Sequence, residues 1–327
     1  MYIGADMGGT FIKLGLLTDD LRPVARLKVP TESMTSSGVV MKNLLAGLHR
    51  LMTENQVTPN DIQAIGLGVP GQMDIQHGLS IASPNFSNWA NVPVVTTVQQ
   101  AFHIPTFMDN DVRVNLYGEW QFGAGRGKQD VLMVTLGTGL GAAMITNGRM
   151  MYGTTNSAVE LGHMNMVRHG GRPCACGSSG CFGRYVSARG MVATVSDHLQ
   201  RGEKSIVSQW TAGDLSSLTA EQISTGYDKH DAVCIETMRE TSEMLGFGLA
   251  NAINLYNPAR VIIGGGVAQA GERLLGPARA IVAHHALKVA REACDVVPAE
   301  LGPWAGMTGA AVYAQVRAVQ QAGGADN

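Results

Sequence analysis

Charge is scarce in this chain. Asp, Glu, Lys and Arg make up 15% of its 327 residues, against about 25% in an ordinary soluble protein. The net charge is only -2, so the basic excess that would neutralise a phosphate backbone is missing, and a nucleic-acid partner is not expected. Long apolar runs are missing too: no stretch of about 18 uncharged apolar residues occurs, which argues against a membrane-spanning helix and a membrane partner. The opening MYIGADMGGT has no basic segment followed by an apolar one, so no signal peptide is expected and the expected location is cytoplasmic. Cysteines number five, an odd count that, in such a compartment, argues against a disulfide framework.

Apolar residues and glycine are plentiful. Hydrophobic residues make up 45% of the chain, enough for two cores of ordinary size. Glycines number 41, roughly one in eight against about 7% on average, and they cluster, which marks places where backbone approaches a ligand. The 17 methionines are scattered and read as core filler.

Three clusters are glycine turns at strand ends. Residues 2–17 read as a strand, a turn at Gly8-Gly9-Thr10 and a returning strand; residues 131–146 repeat the arrangement around Gly137-Thr138-Gly139-Leu140-Gly141, with Asn147-Gly148 closing a further hairpin. The match predicts an internal duplication in which one glycine hairpin opens each of two related domains. The third cluster, Gly264-Gly265-Gly266, ends a strand at 261–263. Helices are predicted at 38–54, with Val40, Leu44, Leu48 and Leu51 on one face, and at 92–102, 186–199, 229–256, 268–287 and 306–321. Another follows Asp109-Asn110-Asp111, with Val112, Leu116 and Trp120 as its apolar stripe. Strands are predicted at 62–69 and 105–108, and the last six residues, AGGADN, read as frayed.

A glycine turn exposes backbone N–H groups to an incoming phosphate. The first turn adds a carboxylate, Asp6, a hydroxyl, Thr10, and a cation, Lys13. That set suits a magnesium nucleotide; the plain alternative is a turn beside a surface ion pair. Asp109-Asn110-Asp111 stands where a strand end meets a helix start. One of the three residues serves as an N-cap, and a carboxylate there is placed to take a proton from a substrate hydroxyl. Cys174, Cys176 and Cys181 with one histidine make a closed tetrahedral set suited to a structural zinc. His163 and His169 both remain candidates for the fourth ligand. Cys234 and Cys294 stand alone as core or partly buried thiols. Glu160 lies three residues before His163, so a metal that fixes His163 also fixes the loop bearing this carboxylate; otherwise Glu160 is a solvent-facing glutamate. Trp89 either flanks a sugar or packs under a loop.

In this order the motifs resemble the ROK family of sugar kinases and repressors, within the actin-like ATPase superfamily. They are Asp6-x-Gly-Gly-Thr10, Gly68-Val69-Pro70-Gly71, Asp109-Asn110-Asp111 with Gly118-Glu119, and Gly137-Thr138-Gly139-Leu140-Gly141. Glu160-x-Gly-His163, Cys174-x-Cys176-Gly177 with Gly180-Cys181, and Gly264-Gly265-Gly266 complete the set. The resemblance runs from Asp6 to Gly266. It implies an α/β, two-domain actin-like ATPase (ribonuclease H-like) fold with an interdomain cleft. One domain would span 1–117 with a C-terminal helix at about 306–327, the other 118–305 with the zinc loop. The reaction implied is glucokinase-like, ATP-dependent phosphorylation of a hexose at its 6-hydroxyl, with Mg2+ on the nucleotide.

Carried over residue by residue, Asp111 would be the general base. Gly71, Asn85, Asn110, Glu160 and His163 would hold the sugar. Asp6, Gly8, Gly9, Thr10, Lys13, Gly137, Thr138 and Gly139 would hold the phosphates and their metal, and Gly265 and Gly266 would border the adenosine. His163, Cys174, Cys176 and Cys181 would hold structural Zn2+. The family implies a homo-oligomer, a dimer or tetramer. Two departures stand out. Family kinases usually follow the last cysteine with Leu-Glu, whereas Cys181 is followed by Phe182-Gly183-Arg184. That raises a modified hexose as an alternative: N-acetylglucosamine, N-acetylmannosamine or allose. Arg113 stands where the family often has a small polar residue. The alternative of another class is a non-catalytic, sugar-sensing regulator; family repressors carry a helix-turn-helix before the first glycine turn, which here begins at residue 6.

Overall fold

The strand Tyr2–Met7 (β1) is buried at every position, so it must lie inside a sheet with both faces covered. In the computed structural model, which describes residues 1–323, it does. β1 pairs antiparallel with Phe11–Leu17 (β2), which pairs with Pro23–Pro30 (β3). β3 alternates exposed and half-buried residues and has proline at both ends, as an edge strand can. On its other side β1 runs parallel to Ala64–Val69 (β4). Three short strands then form a separate antiparallel sheet: Gln72–Asp74 (β5), Leu79–Ala82 (β6) and Ala90–Val92 (β7). Thr106–Asn110 (β8) completes the first sheet beside β4, giving the order β3-β2-β1-β4-β8.

The second sheet repeats this plan. Val131–Leu136 (β9) pairs antiparallel with Leu140–Thr146 (β10), and Arg149–Met150 (β11) extends the edge. Arg260–Gly264 (β12) runs parallel to β9, and Asp295–Pro298 (β13) runs parallel to β12. The order β11-β10-β9-β12-β13 matches the first sheet strand for strand, with the same directions. Two copies of one α/β plan account for the recurring glycine hairpins.

The chain divides into two units. One comprises Met1–Gly127, Tyr152–Ala158 and Glu300–Asn327; the other comprises Lys128–Met151 and Val159–Ala299. The helix Asp111–Phe122 runs unbroken through position 117/118 and belongs whole to the first unit. The chain returns to that unit at Glu300. The buried Glu119 carboxylate accepts hydrogen bonds from the backbone N–H groups of Glu300 and Leu301, at 3.1 and 2.7 Å, and draws that segment into the first unit. The excursion of Tyr152–Ala158 into the first unit was not anticipated.

The helix Ala305–Gly323 belongs to the first unit and lies against β1, β4 and the Asp111 helix. The crossing is possible because Gly118 and Gly309 face it: a methyl on Gly309 would overlap the Val114 carbonyl, and one on Gly118 the Ala305 carbonyl. This neighbour also rotates the buried face of the Asp111 helix. Val114, Leu116 and Tyr117 are buried, while Val112 and Trp120 from the expected stripe are only half-buried. The helix extends through Gly323, so Ala322 and Gly323 are helical rather than frayed; the other four positions of that expectation, 324–327, lie outside the described residues. The remaining long helices follow the apolar spacing: Ser37–Glu54 is capped by Ser36, Val94–Phe102 precedes β8, and Ala232–Tyr256 carries Leu245, Leu249 and Ile253 inward. No helix among the described residues is long and apolar enough to cross a membrane.

Candidate active site

In the first unit, the turn between β1 and β2 is held from beneath. The Gly8 N–H donates to the Phe11 carbonyl at 3.1 Å, and Thr31 donates its hydroxyl to the Gly8 carbonyl at 2.7 Å and its N–H to the Thr10 carbonyl at 3.0 Å. These bonds use the turn's carbonyls and leave Thr10 exposed. A methyl on Gly9 would meet only Asn85, at 3.9 Å, so the fold brings Asn85 to this turn. Asp6 faces Lys13 across the β1–β2 pair, carboxylate to ammonium 3.7 Å. The Asp6 residue is only 8% exposed, which rules out a surface ion pair. Burial raises the Asp6 carboxyl above the ordinary carboxylate range, and Lys13 offsets this only in part.

The strand end at β8 divides its three residues among three tasks. Asn110 is the N-cap, its Oδ1 accepting from the Val112 N–H at 2.9 Å. Its Nδ2 donates to the Gly71 carbonyl at 3.5 Å, joining Gly71, itself at φ +99°, to the site. Asp111 opens the helix and keeps a partly exposed edge. Burial first, then the neighbouring Asp6 charge, raise its carboxyl to about 6. Asp109 is fully buried and fully engaged. Its Oδ1 accepts from Arg113 and from the Asn110 N–H, and its Oδ2 accepts from the Tyr152 hydroxyl at 2.8 Å. Arg113 also donates to the Asn156 carbonyl at 3.0 Å, and its guanidinium lies 5.1 Å from the centre of the Tyr152 ring. Sequence reasoning missed Tyr152 altogether; the only signal was Arg113, an apolar-lined helix carrying an unexpected cation.

Trp89 is not a free sugar platform. It is 5% exposed, donates its indole N–H to the Ser80 hydroxyl at 2.8 Å and packs 4.7 Å from the Phe86 ring.

In the second unit, the glycines form a concentrated patch. The Gly137 N–H bonds the Gly139 carbonyl at 2.9 Å, and methyls placed on Gly137 or Gly139 would meet nothing within 4 Å. Gly265, at φ +89°, lies so close to Leu136 that no side chain fits, which brings the turn at 264–266 beside the one at 137–139. Both turns therefore present backbone without side chains, as phosphate and nucleotide contacts need.

A cluster that could hold a metal ion contains His163 and not His169. The ligand atoms of His163, Cys174, Cys176 and Cys181 all lie within 4.8 Å of one another, and His169 is not among them. The Cys176–Cys181 sulfur separation is 3.7 Å and Cys174 Sγ lies 3.8 Å from His163 Nδ1. A zinc tetrahedron with Zn–S bonds of about 2.3 Å has an edge of about 3.8 Å, so the donor set fits that ion. The knuckle is built by backbone: the Cys174 N–H bonds the Ser178 carbonyl at 2.8 Å and the Gly180 N–H bonds the Arg172 carbonyl at 2.9 Å. The Ser178 amide and the neighbouring thiols hold the Cys176 thiol down at about 7. Cys234 is buried and Cys294 partly buried, each outside this cluster. Glu160 is exposed and immediately precedes the short helix Leu161–His163, so the cluster's histidine and this carboxylate share one turn. At the departure after Cys181, a methyl on Gly183 would stand 3.4 Å from the Gly162 carbonyl, and the buried Arg184 Nε has no hydrogen-bond partner among the described residues.

Comparison with known proteins agrees with this geometry. A family profile described as the ROK family matches residues 2–317. A glucokinase of Halalkalibacterium halodurans is 30% identical over 309 residues, 94% of this chain and 93% of its own. The xylose repressor of Bacillus subtilis is 27% identical over 301 residues, 92% of this chain and 73% of its own. Among solved structures, a ROK family glucokinase from Streptomyces griseus, determined with glucose and AMPPNP, superposes with a TM-score of 0.82 at 30% identity, covering 96% of this chain and 99% of that one.

Proposed function

The chain belongs to the ROK family, as a glucokinase-like member with the actin-like ATPase fold, and from that premise we propose that it transfers the terminal phosphoryl group of ATP to the 6-hydroxyl of a hexose, glucose foremost. The observation that carries this is Asp111: a carboxylate at a helix start, raised to about 6 by burial and by Asp6. A base so tuned is ionised near neutral pH yet holds a proton better than a free aspartate, which suits removal of a hydroxyl proton.

Phosphoryl transfer asks mainly for alignment and charge neutralisation. In the first unit, Gly8, Gly9, Thr10 and Lys13 would hold phosphate oxygens. Asp6 would hold the Mg2+ that supplies charge neutralisation. Asn85, Asn110 and the Gly71 backbone would orient sugar hydroxyls around Asp111. In the second unit, Gly137, Thr138 and Gly139 would hold phosphate, Gly265 and Gly266 would border the adenosine, and Glu160 and His163 would bind sugar. Zn2+ on His163, Cys174, Cys176 and Cys181 would make the Glu160 turn rigid. The glucokinase relatives support glucose over the N-acetylated hexoses and allose that Gly183 raised. Assembly as a dimer or tetramer and a cytoplasmic location are carried as expectations, checked by light scattering and by fractionation.

The test is ATP consumption over a panel of hexoses, with N-acetylglucosamine, N-acetylmannosamine and allose included. Glucose is expected to give the highest kcat/KM, and the product to be acid-stable glucose 6-phosphate. The xylose repressor relative carries the second reading, a sugar-sensing regulator; absence of turnover with every hexose, alongside measurable sugar binding, would establish that reading instead.

A further inference from the structure

The segment Tyr152–Ala158 leaves β11 of the second unit, joins the first unit and returns two residues before Glu160. Its ends meet, the Ala158 N–H bonding the Tyr152 carbonyl at 3.1 Å. The closed loop contains Gly153 and Asn156 at positive φ and is followed by Val159 at φ +65°, a conformation a β-branched residue adopts only when its surroundings impose it. Two bonds hold the loop: Arg113, in the first turn of the Asp111 helix, donates to the Asn156 carbonyl at 3.0 Å, and the Tyr152 hydroxyl donates to Asp109, at the end of β8, at 2.8 Å. Arg113 and Asp109 are 6% and 0% exposed, and they neutralise one another. A buried charge pair with every Asp109 oxygen occupied is a costly way to hold a surface loop. It is economical only if the order of that loop matters.

We propose that Arg113 and Tyr152 are positioning residues for sugar binding: they clamp the 152–158 loop to the end of β8 and the start of the Asp111 helix, and so order the segment that continues into Glu160. The inference rests on the kinase reading and adds to it two residues that touch neither substrate. A loop released from this clamp must be re-ordered each time sugar binds, which lowers apparent affinity by the fraction of time the loop is competent. Among the described residues the turns assigned to the nucleotide have no hydrogen bond to Arg113 or Tyr152, so ATP affinity is expected to be independent of the clamp.

The experiment uses the full chain with single variants. Tyr152→Phe deletes one hydroxyl and keeps the ring; Arg113→Lys keeps the charge opposite Asp109 and loses the fork that reaches Asn156. Each is expected to raise the KM for glucose about tenfold, the loss of one charge-assisted hydrogen bond, with the KM for ATP within twofold of the parent. An unchanged glucose KM in both variants overturns the proposal. So does an equal rise in both KM values accompanied by a lower melting temperature, which would show a purely structural role. Asp111→Asn is run in parallel. If that variant turns over normally, the kinase reading itself fails; if it is inactive while Tyr152→Phe behaves as the parent, only the clamp proposal fails.

Discussion

Replacing Asp111 by asparagine should make this protein more stable and nearly inactive. The native carboxyl sits at about 6, raised from the ordinary 3.8 by burial and by the Asp6 charge. A shift of about two units corresponds to about 3 kcal/mol between the protonation states. The carboxyl keeps an exposed edge, so solvent screening reduces this to roughly 1–2 kcal/mol in practice. The sign follows from the direction of the shift. Because the folded-state value is raised, stability is fully present below the unfolded-state value near 4 and is lost as the pH rises through about 6. Asparagine carries no charge to bury, so its advantage is complete by pH 8, about half as large at pH 5 and absent below pH 4. Urea denaturation at those three pH values measures it. Phosphorylation by the same variant should fall at least about 100-fold, the lower end for loss of a general base. An Asp111→Asn protein that is less stable than the parent at pH 8 would refute the environment assigned to this carboxyl, and one that keeps its turnover would refute its role.

Three further outcomes are expected. The kcat/KM for glucose should fall about tenfold per pH unit below about 6, as Asp111 takes up its proton; a profile flat to pH 5 would remove Asp111 as the base. Metal analysis of purified protein should find one zinc per chain, and chelation should loosen residues 160–181 and weaken sugar binding without unfolding the first unit; hydrogen exchange reads both effects, and normal sugar affinity in metal-free protein would contradict them. Gly309→Ala should destabilise the first unit by about 3 kcal/mol or more, since the methyl would enter the Val114 carbonyl, and a melting temperature equal to the parent's would show that this helix crossing is looser than described.

Much of the candidate site was legible in the order of residues because it depends on local pattern. Gly8-Gly9-Thr10 and Gly137-Thr138-Gly139 announce themselves as turns between apolar strands, and three cysteines within eight positions announce a cluster that could hold a metal. The matching sheets confirm the duplication that those hairpins suggested. What could not be read was set by partners distant in sequence. The buried face of the Asp111 helix is chosen by a helix nearly 200 residues later, so its stripe differs from the one periodicity proposes. Tyr152 gains its meaning from Asp109, 43 positions away. The strands β5, β6 and β7 are three, four and three residues long, too short for alternation to register. Spacing alone left His163 and His169 both open, since His169 is nearer the cysteines in sequence; the family resemblance pointed to His163, and it is His163 whose ring lies beside the three sulfurs.

The placement of Ala305–Gly323 against β1 and β4 sets an order of events during synthesis. The first sheet is made before the second yet lacks its covering helix until residues 305–323 have been made, whereas residues 128–151 and 159–299 have their own sheet complete earlier. Nascent chains should therefore mature from the middle outward, with the earliest-made strands waiting longest and most in need of a chaperone. A premature stop codon near position 300 would spare the His163–Cys181 cluster and disable the unit that contains β1 and β4.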